Sequence, residues 1–332
     1  MDSGTYAELH CHSAFSLGDG ASTPEALAAR AAELGYGALA LTDHDDLGGA
    51  VRFYKACESS GIFPIFGAEI TLADGSHATL LVENPAGWGN LCTLVTRGRM
   101  ERPRGEPGVT FDELATHAAG LVALTGCPRG RIPRLLAGER WDEARAEAGR
   151  WRDAFGDRLY LELWDHRTHA EASLCADLLD LARETGIPWT VTHDVHYAAP
   201  DARAVHDALV CVTAQATLDE AHRRGLLRAS AEWCLQKPEE MARRWRSDPA
   251  GVRRTLEIAE RCQGFRFGRV GPVHPAFPLP SQWKNADDYL ERLARVGLAE
   301  RLPDAGDAHR RQLEHELTTI RTLGLADHFL VC

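Results

Sequence analysis

The sequence predicts an α/β fold built on parallel strands, a barrel or a wound sheet, followed by a mainly helical extension. Two observations carry this expectation. Over residues 1–200 seven short apolar runs alternate with amphipathic helical stretches, and beyond Asp201 only helical periodicity continues. Alternation of this kind favours parallel pairing through right-handed crossovers. At 332 residues the chain can hold two ordinary domains, or one large barrel with an appendage.

The strands are expected at 6–10, 38–42, 63–70, 77–82, 121–125, 159–163 and 188–192, each a short apolar run. Helices fall between several of them, at 23–34, 48–59, 111–117, 141–155 and 171–185. The first is opened by Ser22 or Thr23 with Pro24 in its first turn, and Gly35, Gly61 and Gly186 stand where helices should stop. Past Asp201 the helical stretches are 204–215, 238–246, 249–262, 286–302 and 309–323. The Pro-rich stretch 273–280 reads as a linker. Three parts are expected: 1–200, 201–272 and 273–332. The chain ends on Phe329-Leu330-Val331-Cys332 with no polar tail, as though cut within a longer sequence.

Composition excludes several classes. With 44% hydrophobic and 26% charged residues, disorder and fibrous structure are not expected. No apolar run approaches the ~20 residues of a membrane helix and no signal peptide opens the chain, so a cytoplasmic protein without membrane contact is expected. Nine scattered cysteines are expected to be reduced. Net charge is −11, and the acidity is local: residues 1–200 hold 17 basic and 29 acidic side chains, residues 201–332 hold 20 and 19. A nucleic-acid binder usually shows a basic face. Metal cations held in an acidic region would change that field.

Metal-capable side chains gather at the ends of the expected strands. The first runs into His10-Cys11-His12, whose imidazoles, two residues apart on extended chain, face the same way. The last repeats the device with Asp194-Val195-His196. Between them lie Asp19, His44, Glu69, His77 and Cys127. Singly, each is more ordinary as a surface, core or satisfied residue. Together they point to one rim, because the C-terminal strand ends of a parallel α/β fold share one face. His77 begins a strand and joins that rim only if its strand runs opposite to its neighbours or its flanking loop reaches over. Five imidazoles, three carboxylates and one thiol exceed a single tetrahedral ion and suit two or three divalent ions. Mixed N, O and S donors favour Zn²⁺, Mn²⁺ or Fe over Mg²⁺. Such a cluster suits metal-assisted phosphoester hydrolysis. His166 and His169, near the sixth strand end, are candidates to contact substrate phosphate or move a proton. Arg243, Arg244 and Arg246 are candidate DNA phosphate contacts, set against the ordinary reading of such a run as a solvated helix face.

His10-Cys11-His12-Ser13, Thr42-Asp43-His44, Gly67-Ala68-Glu69, His77-Ala78-Thr79-Leu80-Leu81, Leu124-Thr125-Gly126-Cys127-Pro128 and His193-Asp194-Val195-His196-Tyr197 resemble the successive motifs of the PHP (polymerase and histidinol phosphatase) domain. Within that superfamily the likeness is to the N-terminal region of bacterial DNA polymerase III alpha subunits, through residues 85–91, 237–241, 255–262 and 324–331. The resemblance covers almost the whole chain. It implies a distorted seven-stranded barrel with up to three metals, held by His10, His12, Asp19, His44, Glu69, His77, Cys127, Asp194 and His196. It also implies 3′–5′ exonuclease proofreading on a DNA primer end, with the rest of a polymerase and replisome or translesion factors as partners. Both the replicative and the error-prone branch stay open, with a lean to the latter. The family's palm aspartates lie beyond the stretch resembled by 324–331, so the chain as given is expected to hydrolyse DNA rather than polymerise it. A stand-alone phosphatase of the histidinol-phosphatase kind and a catalytically silent metal-binding scaffold are the competing expectations.

Overall fold

The computed structural model describes residues 5–103, 105–268 and 276–332. Six strands form one sheet in sequence order: β1 (Ala38–Leu41), β2 (Phe63–Thr71), β3 (His77–Val82), β4 (Leu121–Leu124), β5 (Leu159–Leu163) and β6 (Trp189–Val191). The pairs β1–β2, β4–β5 and β5–β6 are parallel, but β3 is antiparallel to both β2 and β4. The reversal comes from a tight turn at Asp74-Gly75, with Gly75 at φ +73°, which leaves no room for a crossover. An all-parallel order is thereby corrected at β3.

The expected strand at 6–10 is the second correction: the described residues hold six regular strands, not seven. Residues 7–12 are extended but make only isolated parallel bridges, Glu8 to Leu39 on one side and Cys11 to Val195 on the other. The cause is Glu8. Its buried carboxylate accepts the N–H groups of Leu9, His10 and His193 at 3.0–3.1 Å and the Tyr6 hydroxyl at 2.6 Å, taking donors a continuous ladder would use. The segment still ties the sheet's two edges together, through Ala40 N–H to Glu8 C=O (2.8 Å) and His12 N–H to Val195 C=O (2.7 Å).

Helices cover the outside: α1 (Pro24–Glu33), α2 (Ala50–Ser60), α3 (Pro85–Met100), α4 (Phe111–Thr116), α5 (Arg131–Ala137), α6 (Trp141–Phe155) and α7 (His169–Thr185). Thr23 caps α1 by accepting the Ala26 N–H, with Pro24 leading the first turn. Periodicity gives no sign of α3, because Gly87, Gly89 and Gly98 lower its helix propensity. Gly87 is required by packing, since a Cβ there would run into the Gly120 carbonyl. The extension adds α8 (Arg203–Thr213), α9 (Leu218–Arg223), α10 (Pro238–Arg244) and α11 (Ala250–Arg261).

Strand residues divide by parity. Leu39, Leu41, Phe66, Leu80, Leu121 and Leu161 join the apolar layer packed with the helices, whereas Ala38, Ala40, Phe63, Ile65, Leu81, Val122, Leu124 and Tyr160 face Ile258 and Ala259 of α11 and Cys262 just after it. These inner residues cluster where β1, β2 and β4 begin and β3 ends, so α11 plugs that end. Thr255 accepts the Ala7 N–H at 3.0 Å, and Arg261 pairs with Glu83 at 2.9 Å.

The described residues fall into two compact units, Met1–Phe267 and Gly268–Cys332. The second holds α12 (Ala286–Arg301), α13 (Asp307–Leu323) and α14 (Ala326–Val331); α12 and α13 are linked by ion pairs of Arg295 with Glu314 and of Glu291 with Arg321, and α14 packs on α12. Residues 273–275 of the expected linker lie outside the described residues. All nine cysteines are unpaired, and no described helix is long and apolar enough to cross a membrane.

Candidate metal centre

At the end of the sheet away from α11, donors come from the extended segment 7–12 and from the ends of β1, β2, β4 and β6 and the start of β3. His10 and His12 leave the extended segment on one side, with ring centroids 5.0 Å apart. His44 follows β1 and bridges to Glu69 near the end of β2. Because β3 is reversed, its first residue, His77, lies beside Thr71 at the same end. Cys127 follows β4 after Gly126, whose φ of +88° and lack of a Cβ let the chain pass over the His77 carbonyl. Asp194, at φ +42°, and His196 follow β6. Asp43 anchors the loop that carries Asp19, accepting the Ser13 N–H, Ser13 Oγ and Ser16 Oγ at 2.6–2.8 Å.

Two carboxylates knit the donors together. Glu69 lies 2.6 Å from His44 Nδ1, 3.1 Å from His77 Nδ1, 3.6 Å from His10 Nε2 and 3.2 Å from Cys127 Sγ. Asp194 lies 3.3 Å from His196 Nε2, 3.5 Å from His12 Nε2 and 3.6 Å from His10 Nε2. Asp19 completes the outer edge, 3.0 Å from both His44 Nε2 and His196 Nδ1. His10 and His12 are fully buried at the bottom, while Asp19, His44, Glu69, His77, Cys127, Asp194 and His196 line a cleft of about 620 Å³.

The electrostatics follow from burying so many polar groups together. Burial would push Glu69 and Asp194 up, but His44 and His77 hold the first, and His196 and His10 the second, well below the usual carboxylate range. His10 resists burial through Glu162 and Asp194 and is lifted to about 10. Burial, then His44, drives His12 down to about 3, so its ring is a neutral lone-pair donor. Burial and then Glu69 push the Cys127 thiol up.

His44, against burial, is held well above its ordinary value by Glu69 and Asp19, so protons on His10 and His44 occupy lone pairs that divalent cations can take. The donors fit such ions: His10–His12–Glu69, His12–Asp194–His196, Asp19–His196–His206 and His44–Glu69–His77 each bring their ligand atoms within 4.8 Å of one another.

All nine predicted ligands come together here. The other candidates do not. His166 is buried with both ring nitrogens engaged, by Glu171 at 2.8 Å and the His193 carbonyl at 2.7 Å, so it offers substrate nothing. His169 is exposed at the start of α7. Arg244 is held inside the fold by Glu232, Glu240 and the Asp165 carbonyl. Arg243 pairs with Glu240 but stays largely exposed, and Arg246 is exposed.

Three neighbours escape a reading by strand ends. Glu162 holds His10 Nδ1 at 2.6 Å, His206 faces Asp19, and Arg228 lies 2.8 Å from His196 Nε2. For Glu162 a signal exists: it is the one charged residue inside the apolar run 159–163.

Residues 8–166 match the family model described as the PHP domain. Over 98% of its length the chain is 40% identical to an error-prone DNA polymerase of Symbiobacterium thermophilum, and 33% identical to a DNA polymerase III subunit alpha of Treponema pallidum. It spans 31% and 29% of those relatives. A solved structure described as a metal-dependent phosphoesterase from Bifidobacterium adolescentis aligns with 59% of this chain and 88% of that one, with TM-score 0.43 and 20% identity. Residues 8–166 thus carry a PHP domain, and along nearly its whole length the chain is similar to about a third of a DNA polymerase III alpha or error-prone DNA polymerase.

Proposed function

We propose that the unit ending at Phe267 is a metal-dependent phosphodiesterase that removes nucleotides from a DNA 3′ end, a 3′–5′ proofreading activity serving replication or error-prone repair synthesis by a polymerase of the kind its relatives represent. The observation that supports this most is the meeting of four overlapping donor triads at one cleft of about 620 Å³. His10, His12, Asp19, His44, Glu69, His77, Cys127, Asp194 and His196 would hold two or three ions, Zn²⁺ or Mn²⁺, with Fe as a further candidate. Such ions supply Lewis acidity at a phosphoryl oxygen and a water acidic enough to ionise near neutral pH.

The chain's own residues do the rest. Glu162 accepts the His10 Nδ1 proton and so aims Nε2 at the cluster. Arg129 and Arg228, both lining the cleft, offer guanidinium donors to phosphate oxygens. Leu17, Val210 and Leu226 form an apolar lip that shelters a sugar or base. Exposed Arg243 and Arg246 supply weaker contacts farther along the strand.

The test is hydrolysis of a 3′-mismatched primer–template by metal-loaded protein, beside chelated protein and a His10→Ala/His12→Ala variant, with ions counted on the same samples. Loss of turnover by at least about 10³-fold in the variant is expected. Bound ions without turnover on DNA or a generic phosphate ester would leave a metal-stabilised scaffold. Faster turnover of histidinol phosphate than of DNA would make it a small-molecule phosphatase.

A further inference from the structure

We propose that His206, on the extension helix α8, is a tenth metal ligand, joining Asp19 and His196 at an ion site on the outer edge of the cluster. The inference rests on reading the cluster as a metal centre. His206 lies outside the stretch that matches the PHP domain, in a segment whose periodicity reads only as helix.

His206 is 1% exposed, and neither of its ring nitrogens makes a hydrogen bond among the described residues. A neutral imidazole carries one donor and one acceptor, and burying both without partners costs a few kcal/mol. A helix that leaves a histidine so placed has a use for its lone pair. The ring is aimed at the cluster: Nε2 lies 3.4 Å from Asp19 Oδ1, and the ring sits edge-on to His196 with centroids 5.6 Å apart. Asp19 divides its oxygens accordingly, Oδ2 toward His44 and His196 and Oδ1 toward His206. The ligand atoms of Asp19, His196 and His206 all fall within 4.8 Å of one another. Three protein donors with room beside them are the pattern of an ion that keeps a position for substrate.

The other ring nitrogen repeats a device already present at His10. There Nδ1 is held by Glu162 while Nε2 points into the cluster. In His206, Nδ1 faces Asp207 Oδ1 at 3.7 Å, and that oxygen has no hydrogen-bond partner among the described residues. A small approach of Asp207 would orient the ring as Glu162 orients His10, a carboxylate behind the ligand fixing its tautomer.

Equilibrium dialysis of the full chain against Zn²⁺ and, separately, Mn²⁺, with ions counted by plasma emission, tests this for wild type, His206→Ala and His206→Gln. Loss of one equivalent, or at least about tenfold weaker binding of the last ion, is expected in both variants, with the circular dichroism of the chelated protein unchanged. Wild-type ion number and affinity in His206→Gln would overturn the proposal and leave His206 only an ion-pair neighbour of Asp19. Should both variants fail to fold, ¹⁵N-histidine spectra of the wild type decide: the His206 Nε2 resonance moves on adding the last equivalent of Zn²⁺, and a stationary resonance overturns the assignment. A wild-type chain that binds no ion would overturn the metal-centre reading itself, whereas a full complement insensitive to His206 overturns only this inference.

Discussion

The two ends of the sheet's interior are built from the same strands and could hardly differ more. At one end Ala38, Phe63, Ile65, Leu81 and Val122 close over Ile258 and Ala259 of α11. At the other, within a few residues along the same chains, His10, His12, Glu69 and Asp194 are buried to 5% exposure or less. The plugged end gains stability from area removed from water. The open end carries a cost, since buried charges are tolerated only when paired or bound to a cation. The contrast separates what holds the protein together from what it does, and each end can be disturbed alone.

The largest effect is expected at the open end. Asp194→Asn removes a carboxylate shared by His10, His12 and His196, and hydrolysis should drop by at least about 10³-fold, with the denaturation midpoint of the chelated protein moving far less. At the plugged end, Ile258→Ala should cost about 2–5 kcal/mol in urea unfolding while the number of bound ions stays the same. A change in ion content there would mean that the two ends are coupled. Glu162→Gln keeps the shape behind His10 but removes the charge, and calorimetric titration should show metal affinity about 10–100-fold weaker.

Acidity sharpens the contrast further. His10 is held at about 10 against an ordinary 6.5 by Glu162 and Asp194, acting against burial. Its protonated ring therefore contributes stability that is fully present below about 6.5 and is lost as the pH rises toward 10. The melting temperature of chelated protein should fall across that window, while metal-loaded protein, whose His10 has exchanged its proton for an ion, stays level. A level profile in chelated protein would contradict the His10 assignment. The smallest effect belongs to Arg246→Gln, with stability unchanged within about 0.5 kcal/mol and a slightly shallower salt dependence of DNA binding.

Much of this was legible in the residues. Strands read clearly because buried strands are short apolar runs, and the nine donors read clearly because such folds gather function at strand ends. The misses have physical causes. Tyr6-Ala7-Glu8-Leu9 has a strand's pattern, but the Glu8 carboxylate takes backbone donors, which no periodicity reveals. Helix α3 hides behind its glycines. His206 escaped because a lone histidine on an amphipathic helix looks like any other until the fold sets it against Asp19. Arg244 misled for the opposite reason: Arg243 and Arg246 beside it are solvated, while its own partners, Glu232 and Glu240, hold it inside the fold.

The bridging of the sheet's two edges by residues 7–12 has a bearing on how the molecule assembles. Glu8 must meet Leu39 and Cys11 must meet Val195, so this short stretch is secured only when segments far apart in the chain have docked. Contacts of such long sequence separation form late and slowly. The donors of His10 and His12 are therefore in place only where both edges of the sheet have closed on this stretch. Ions added to a refolding mixture should accelerate little of the early collapse and mainly slow the escape from the finished state.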